Sequence, residues 1–439
     1  MLKKNSLLIL LTLAFVSCKK QIPNTIDPDD KTKPIIKIDT NILSGYWIGV
    51  KNPNTSKAIY FDANHSGLAL WNGTAGDALI NWRFSNDSTL QSLGGLFPLK
   101  KLTRDSLVFE VDKKISRYFR VATPSTPYLI STIIPSMEYS PNSLTSDSEG
   151  NIYITQTFGI LKVLKNTSNS SRWVDDILNP LGLAIDPSGD LLYCAGSYLK
   201  KVDKLSKAVT TLMSPGKPVI DNVPYKESSL GNPKEIAVDH EGNIYVVDEA
   251  RVRMIEKKTG MIKTIIGAKD YTGQKFNPSP ISALDIWLAP TKLSVDKDAN
   301  LYICDGINNC IWKYNLDGKI RVIAGDGKQG YSGDGDIGTN AQLNYPSGVA
   351  VDDLGNVFIS DIGNAVIRKL SSSDNKISTI AGYGKQTGHG PDYYNARISG
   401  LGGLGSLAAK ANGDIIFIQN GGLLFGAGPK KIRKLTLNN

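Results

Sequence analysis

PSGVAVDDLGNVFISDI, residues 346–362, decides how the rest of the chain is read. It opens with an apolar alternation through Val349 and Val351, turns over Asp-Asp-Leu-Gly-Asn, and alternates again through Val357 and Ile359 with an aromatic at Phe358. A period of two on both sides of a Gly/Asn/Asp cluster predicts two strands joined by a tight turn. VIRKL (366–370) and ISTIAG (377–382) supply a third and a fourth strand. Together they form one small antiparallel sheet, with strands labelled a to d in order.

The unit recurs as PNSLTSDSEGNIYIT (141–155), PLGLAIDPSGDLLYCAG (180–196), PKEIAVDHEGNIYVVDE (233–249), PTKLSVDKDANLYICDG (290–306) and, degraded, LGSLAAKANGDIIFIQN (404–420). A four-stranded sheet cannot bury both of its faces alone, so repeated sheets pack face to face around an axis as propeller blades. The predicted fold is all-β, with a six-bladed β-propeller over 128–439. The last copy has strands at 404–410, 414–419 and 431–436, after which the sequence stops at Asn439 without a fourth. YLISTIIP (128–135) lies ahead of the first copy and reads like the fourth strand ISTIAG. Strand 128–134 is therefore expected to close the last blade and leave no open sheet edge.

GDGKQG (325–330) spells the G-x-G-x-x-G of a dinucleotide-phosphate loop. That role requires a strand before it and a helix after it. The next residues are YSGDGDIGTNAQLNYPSG (331–348), whose Gly, Asp and Asn cannot sustain a useful helix. A similar GYGKQTG (382–388) occupies the matching place in the next unit. Both read as loops between blades, and no dinucleotide is expected.

The Pro-x-Gly-Val-Ala-Val-Asp-x-x-Gly-Asn pattern, the Asn-x-x-Ile-x-Lys after it and the insert Ala-Gly-x-Gly-x-x-Gly-Tyr-x-Gly-Asp-Gly resemble NHL repeats. Units 290–325 and 346–382 are the most similar, those at 141 and 404 are weak, and the one at 180 has Ala195 where others carry Asp. Across 128–437 the resemblance implies an NHL-type six-bladed propeller. It does not imply one function, because propellers host many.

MLKKNSLLILLTLAFVSC (1–18) places Lys3 and Lys4 before an apolar run from Leu7 to Val16, then Ser17 and Cys18. The run is about half of the roughly 20 residues that cross a bilayer, so it reads as an export signal. Its end resembles a bacterial lipobox, with Phe15 in place of the usual aliphatic residue. That resemblance implies lipidation of Cys18 and anchoring to a membrane of the bacterial cell envelope, on its periplasmic or surface face. Residues 19–41 are rich in Pro, Asp, Lys and Thr without apolar periodicity, as in a flexible tether. The formal net charge of +9 is spread along the chain without a basic block, which argues against nucleic acid as a partner.

Residues 42–122 do not repeat. SGYWIGV, KAIYFDA, HSGLALWNG, LINWRFS, STLQSL, DSLVFEV and RYFRVA predict six or seven short strands in a small antiparallel barrel or sandwich domain. Their order weakly resembles lipocalin-like modules of bacterial envelope proteins. Trp47, Trp71 and Trp82 either fill its core or line a cleft, and the core reading is preferred.

Asp248, Asp305 and Asp361 end the second strand of three units, and Asn308 and Asn364 stand three residues beyond two of them. At a recurrent turn these are turn formers and local hydrogen-bonding groups before they are metal ligands. Asp334 and Asp336 in GYSGDGDIG (330–338) lack EF-hand spacing and its distal Glu. No cofactor is expected, calcium in such a loop or in the channel being the one ion the pattern allows. His65, His240 and His389 are scattered, whereas NHL-like lyases rely on several channel histidines. NPLGLAIDPSGDLLY (179–193) is faintly similar to a pattern of six-bladed lactonases, whose full ligand set is not matched. No catalytic or metal-binding residue is therefore assigned. Cys194 and Cys304 share one blade position, while Cys304 and Cys310 flank the hairpin DGINN as a candidate disulfide.

A ligand of the propeller is expected at the mouth of its axial channel, where the first strand of each blade begins. The position two after the repeat's Pro is Ser143, Gly182, Glu235, Lys292, Gly348 and Ser406. Asn142 and Ser347 stand beside them. Glu235 and Lys292, in adjacent blades, are the charged members and are able to pair with one another. This polar ring of small side chains suits a glycan or a peptide loop better than acid–base chemistry. The reading is a lipid-anchored, exported binding or scaffold protein with a glycan or protein partner. A metal-dependent lactonase or lyase is the alternative.

Overall fold

A computed structural model of the 439-residue chain describes the strands within 45–121 and residues 128–437, except 268–278, 383–393, 396–400, 402, 411–412 and 421–429. Cys18, the tether, His65, His389 and most of GYGKQTG lie outside the described residues. The chain divides into two compact units, Met1–Ser125 and Thr126–Asn439.

In the first unit, eight strands follow in order as a closed barrel, in which Gly45–Gly49 pairs with both Ala58–Phe61 and Lys114–Val121. The strand missing from the sequence reading is Gly95–Thr103. Pro98 and the Lys100–Lys101 pair interrupt its alternation, which hides it from a period-two reading. The side chains of Trp47, Trp71 and Trp82 lie outside the described residues.

The second unit is a ring of six antiparallel sheets. Blade 1 is Pro141–Ser146, Ile152–Gln156, Phe158–Val163 and Ser170–Leu178, and blade 2 is Pro180–Ile185, Leu191–Ala195, Tyr198–Val202 and Val209–Met213. Blade 3 is Pro233–Val238, Ile244–Asp248, Arg251–Ile255 and Met261–Ile266, and blade 4 is Pro290–Val295, Leu301–Asp305, Cys310–Tyr314 and Lys319–Ala324. Blade 5 is Pro346–Val351, Val357–Asp361, Val366–Leu370 and Ile377–Ala381. Blade 6 is Leu404–Ala409, Ile415–Gln419 and Lys430–Leu437, completed by Tyr128–Met137 from the start of the unit. First strands of neighbouring blades touch all the way round, blade 6 against blade 1 included.

Each junction between blades holds its own apolar cluster. Leu183, Tyr193 and Ile160 join blades 1 and 2, for example, and Ile416, Ile418 and Ile154 join blades 6 and 1. Burial of these facing surfaces, at roughly 25 cal/mol per Å², drives a fold whose sheets are individually too small to be stable.

The a–b turns explain the Asp-x-x-Gly-Asn spelling. Asp239 accepts from the backbone N–H and side-chain amide of Asn243 at 2.9 and 2.8 Å and from the Tyr245 hydroxyl at 2.9 Å. Asn243 in turn accepts from the Lys257 N–H in the c–d turn at 2.9 Å, so one residue ties two turns together. Asp296 and Asp352 do the same with Asn300 and Asn356. Gly242 has φ +90°, which favours glycine there.

GDGKQG continues from strand Lys319–Ala324 into loop rather than helix. The Gly325 N–H donates to the Gly338 carbonyl at 3.0 Å, and a side chain at Gly325 would meet the Asn309 carbonyl at 2.3 Å. Inserts between blades reach outward and pair with the edge strand of the next blade, as Val223–Pro224 does with Met261–Ile266 and Ile281–Ser282 with Lys319–Ala324. They cover edges that would otherwise present unpaired backbone groups.

Candidate functional site

The alternating course of the strands sorts the turns by end. Strands a and c start at one end, which therefore carries the d–a inserts and the b–c turns. The a–b and c–d turns lie at the opposite end. Every first strand enters with the same irregularity, an extra residue after the Pro position, as between Pro141 and Ser143, Pro233 and Glu235, and Pro290 and Lys292. This bulge re-aims the side chains at the entrance to the axis.

Glu235 is the hub there, with only 3% of its surface exposed. Its two carboxylate oxygens each accept from the Ser143 hydroxyl at 3.1 Å, and one also accepts from the N–H groups of Leu183 and Ile236 at 3.2 Å. The Lys292 ammonium pairs with it and also donates to the Asn142 carbonyl at 3.2 Å. Four of the anticipated residues, Asn142, Ser143, Glu235 and Lys292, thus come together from blades 1, 3 and 4. Blade 2 contributes by making room, because a side chain at Gly182 would lie 2.5 Å from the Glu235 Cα. The Gly182 N–H instead donates to the Cys194 thiol at 3.2 Å, and burial, followed by the Glu235 charge, pushes that thiol up to about 12.

Ser347 and Ser406 stand apart from this hub. The Ser347 hydroxyl donates to the Leu404 carbonyl at 3.1 Å, and Ser406 is buried. Glu235 therefore faces protein donors where the sequence places it facing a ligand, and its charge is satisfied before any ligand arrives.

The same end carries side chains that sequence reasoning missed. Phe158 and Tyr198 begin the third strands of blades 1 and 2, and Tyr345 precedes the first strand of blade 5; they are 44%, 40% and 55% exposed. Tyr139, in the connection into blade 1, stacks edge-on against Phe158 with ring centroids 5.0 Å apart. Tyr331 of the insert before blade 5 is also exposed. Every aromatic residue exposed among the described residues belongs to this end or its inserts. The available signal was their place directly after a b–c turn or before a repeat Pro.

Asp248, Asp305 and Asp361 act structurally. Asp361 accepts from the Asn344 N–H at 2.7 Å and the Asn364 amide at 2.8 Å, and Asp305 accepts from the Asn308 amide at 2.8 Å and the Trp312 indole at 3.2 Å. The sequence reading overlooked the residue of strand c that pairs with the middle of strand b, which is Arg253, Trp312, Arg368 and Arg433 in blades 3 to 6. All three arginines are fully buried. Arg368 lies 3.7 Å from Asp361 and 2.9 Å from Asp334, and donates to the Ser332 carbonyl at 3.0 Å. Arg253 repeats this with Asp248 at 3.8 Å, Asp221 at 2.9 Å and the Ser229 carbonyl at 2.8 Å. These side chains clamp the inserts to the blades. Asp334 stays exposed in its loop while also accepting from the Thr379 hydroxyl at 3.0 Å, and Asp336 caps its own turn at the Ile337 N–H.

Cys304 and Cys310 do not form a disulfide; both are free thiols. Cys304 lies opposite Ile311 in the ladder and Asp305 opposite Cys310, so adjacent positions put the two thiols on opposite faces of the sheet. Cys304 packs between blades 4 and 5 and Cys310 between blades 3 and 4. Among the described residues, no group of His, Cys, Asp and Glu is arranged to hold a metal ion.

Residues 219–330, which span blades 3 and 4, match the family profile of the Teneurin NHL domain. Teneurin-1 of Gallus gallus is 29% identical over 221 residues, and Teneurin-4 of Homo sapiens 26% over 219. These matches cover 43% and 42% of the chain but 8% of each relative's length. Among solved structures, a Bacteroides thetaiotaomicron protein is similar with TM-score 0.54 and 16% identity over 91% of this chain and 99% of its own. An auxiliary nutrient binding protein of Bacteroides ovatus is similar with TM-score 0.53 and 13% identity over 90% and 99%. At these identities the likeness is one of fold: the chain carries an NHL-type six-bladed propeller.

Proposed function

We propose that the chain is an exported binding module, held to a membrane of the bacterial envelope through lipid on Cys18, whose propeller presents its insert-bearing end to a glycan or protein partner. The observation that carries this reading is the collection of exposed rings, Phe158, Tyr198 and Tyr345, around an axis whose charged residues are already matched internally. Aromatic side chains offer large, rigid, amphipathic contact area at little conformational cost, which suits the faces of sugar rings as well as apolar side chains of a protein. The solved structures named auxiliary nutrient binding proteins supply a precedent in kind for a similar fold.

The experiment is a glycan-array and pull-down comparison of the full chain with its Phe158→Ala/Tyr198→Ala/Tyr345→Ala variant. Specific capture that the triple variant loses while melting normally is the expected result. Capture unaffected by the three substitutions excludes this end as the binding face. Lipid labelling that disappears in Cys18→Ala tests the anchor separately.

A further inference from the structure

The opposite end of the propeller carries a groove of about 700 Å³ where blade 6 meets blade 1. The repeat explains its chemistry. In blades 1 to 5 the a–b turn begins with Asp147, Asp186, Asp239, Asp296 and Asp352, and in blade 6 that position is Lys410. In blades 2 and 4 the lysine of strand c answers the turn acid: Lys201 lies 2.7 Å from Asp186, and Lys313 lies 4.0 Å from Asp296. In blade 6 its counterpart Lys434 is left with Asp414, at 3.5 Å. Lys410 crosses the junction and donates to a neutral acceptor, the Gly150 carbonyl, at 2.8 Å. The stem of Lys165 lies against the same glycine, since a side chain there would meet its Cδ at 3.2 Å.

The carboxylates nearby already have partners. Asp147 accepts from the Asn151 N–H and amide at 2.7 and 2.8 Å, and Glu149 from the same amide at 3.2 Å. An ammonium has three N–H donors, so Lys410 keeps donor capacity beyond its one carbonyl. Burial, with the neighbouring Lys434 and Lys165, holds Lys410 below the ordinary lysine range against the opposing pull of Asp414 and Asp147. Hydroxyls of Ser131, Ser146 and Ser148 line the rest. The corresponding groove between blades 4 and 5 is about 360 Å³ and has Asp296 where this one has Lys410.

We propose that the blade 6–blade 1 groove is a second binding site, which takes the carboxylate of an acidic oligosaccharide on Lys410 and its hydroxyl groups on the surrounding serines. An ammonium facing a neutral carbonyl gains a charge-assisted bond when an anion enters. The mixed donors and acceptors around it match a polyol, and the volume accommodates two or three sugar units. This site is independent of the aromatic end.

The test is titration calorimetry of the full chain with trigalacturonate, using maltotriose as the uncharged trisaccharide. Trigalacturonate should bind and maltotriose should not. Lys410→Met should weaken binding about tenfold or more, in line with loss of one charge-assisted bond. Lys410→Arg should retain it, and Lys313→Met and Phe158→Ala/Tyr198→Ala should leave it unchanged. No binding by the native chain, equal binding of maltotriose, or an unaltered Lys410→Met variant overturns the proposal. If Lys410→Met melts early, Lys410→Gln is read by the same criteria.

Discussion

Glu235 and Lys292, 57 residues apart and in adjacent blades, form an ion pair that Ser143 extends to blade 1. It links the first strands of three blades at the axis. Removing one partner of such a pair leaves the other charge buried and uncompensated, at a cost of about 3–5 kcal/mol. Glu235 is the more deeply buried member, so Lys292→Met should lower the unfolding free energy by about 3 kcal/mol. The double variant Lys292→Met/Glu235→Gln should recover part of that loss. Urea denaturation of the four proteins gives the coupling directly, and additive single effects would show that the pair has no energetic meaning.

Asp361 provides a pH dependence. Burial raises its pKa from 3.8 to about 6, against the lowering influence of Asn364, Asn344 and Arg368. The folded chain therefore binds this proton more tightly than the unfolded one. Its contribution is fully present below about pH 4, is lost as pH rises toward 6, and is constant above that. Asp361→Asn cannot ionise, so its stability relative to the native chain should improve by up to about 3 kcal/mol between pH 4 and pH 7. Parallel urea melts at those two pH values check this, and a gap that does not move with pH contradicts it.

Cys194, Cys304 and Cys310 are buried thiols, each with its ionisation pushed upward chiefly by burial. Thiolate is the reactive form, so all three should resist alkylation in the folded protein. In denaturant without reductant all three should be modified. Recovery of Cys194 alone as an alkylated peptide would mean that Cys304 and Cys310 are bridged.

Lys430–Leu437 pairs with Tyr128–Met137 on one side and Ile415–Gln419 on the other. Deleting 430–439 exposes two strand edges and opens the junction that Ile432 shares with Ile134 and Ile154. Calorimetry should show a broadened transition at lower temperature with loss of the single cooperative peak. A deletion variant that melts like the full chain would mean that ring closure contributes nothing to cooperativity.

The repeat was legible because its information is local. An alternation of two, a glycine with φ +90° and an Asp bonded to the Asn four residues on are all contained within one turn, and each copy spells them out again. The missed barrel strand, Gly95–Thr103, is the counterexample, where Pro98 breaks the alternation. Of the axial residues, sequence position identified who stands at the entrance but not which way each carboxylate or ammonium is satisfied.

By itself the sequence determined the blades, their order and the strand that closes the ring, since hydrophobic period and turn chemistry act over a few residues. Only the tertiary structure decided the rest. Ser143 meets Glu235 across 92 residues, Lys410 reaches Gly150 across 260, and Arg368 reaches back from strand c to the insert at Asp334. Cys304 and Cys310, six positions apart, are separated by a sheet. These groups take their partners from whatever packing brings within about 3 Å, and for them that distance is set by how blades and inserts pack rather than by neighbouring residues.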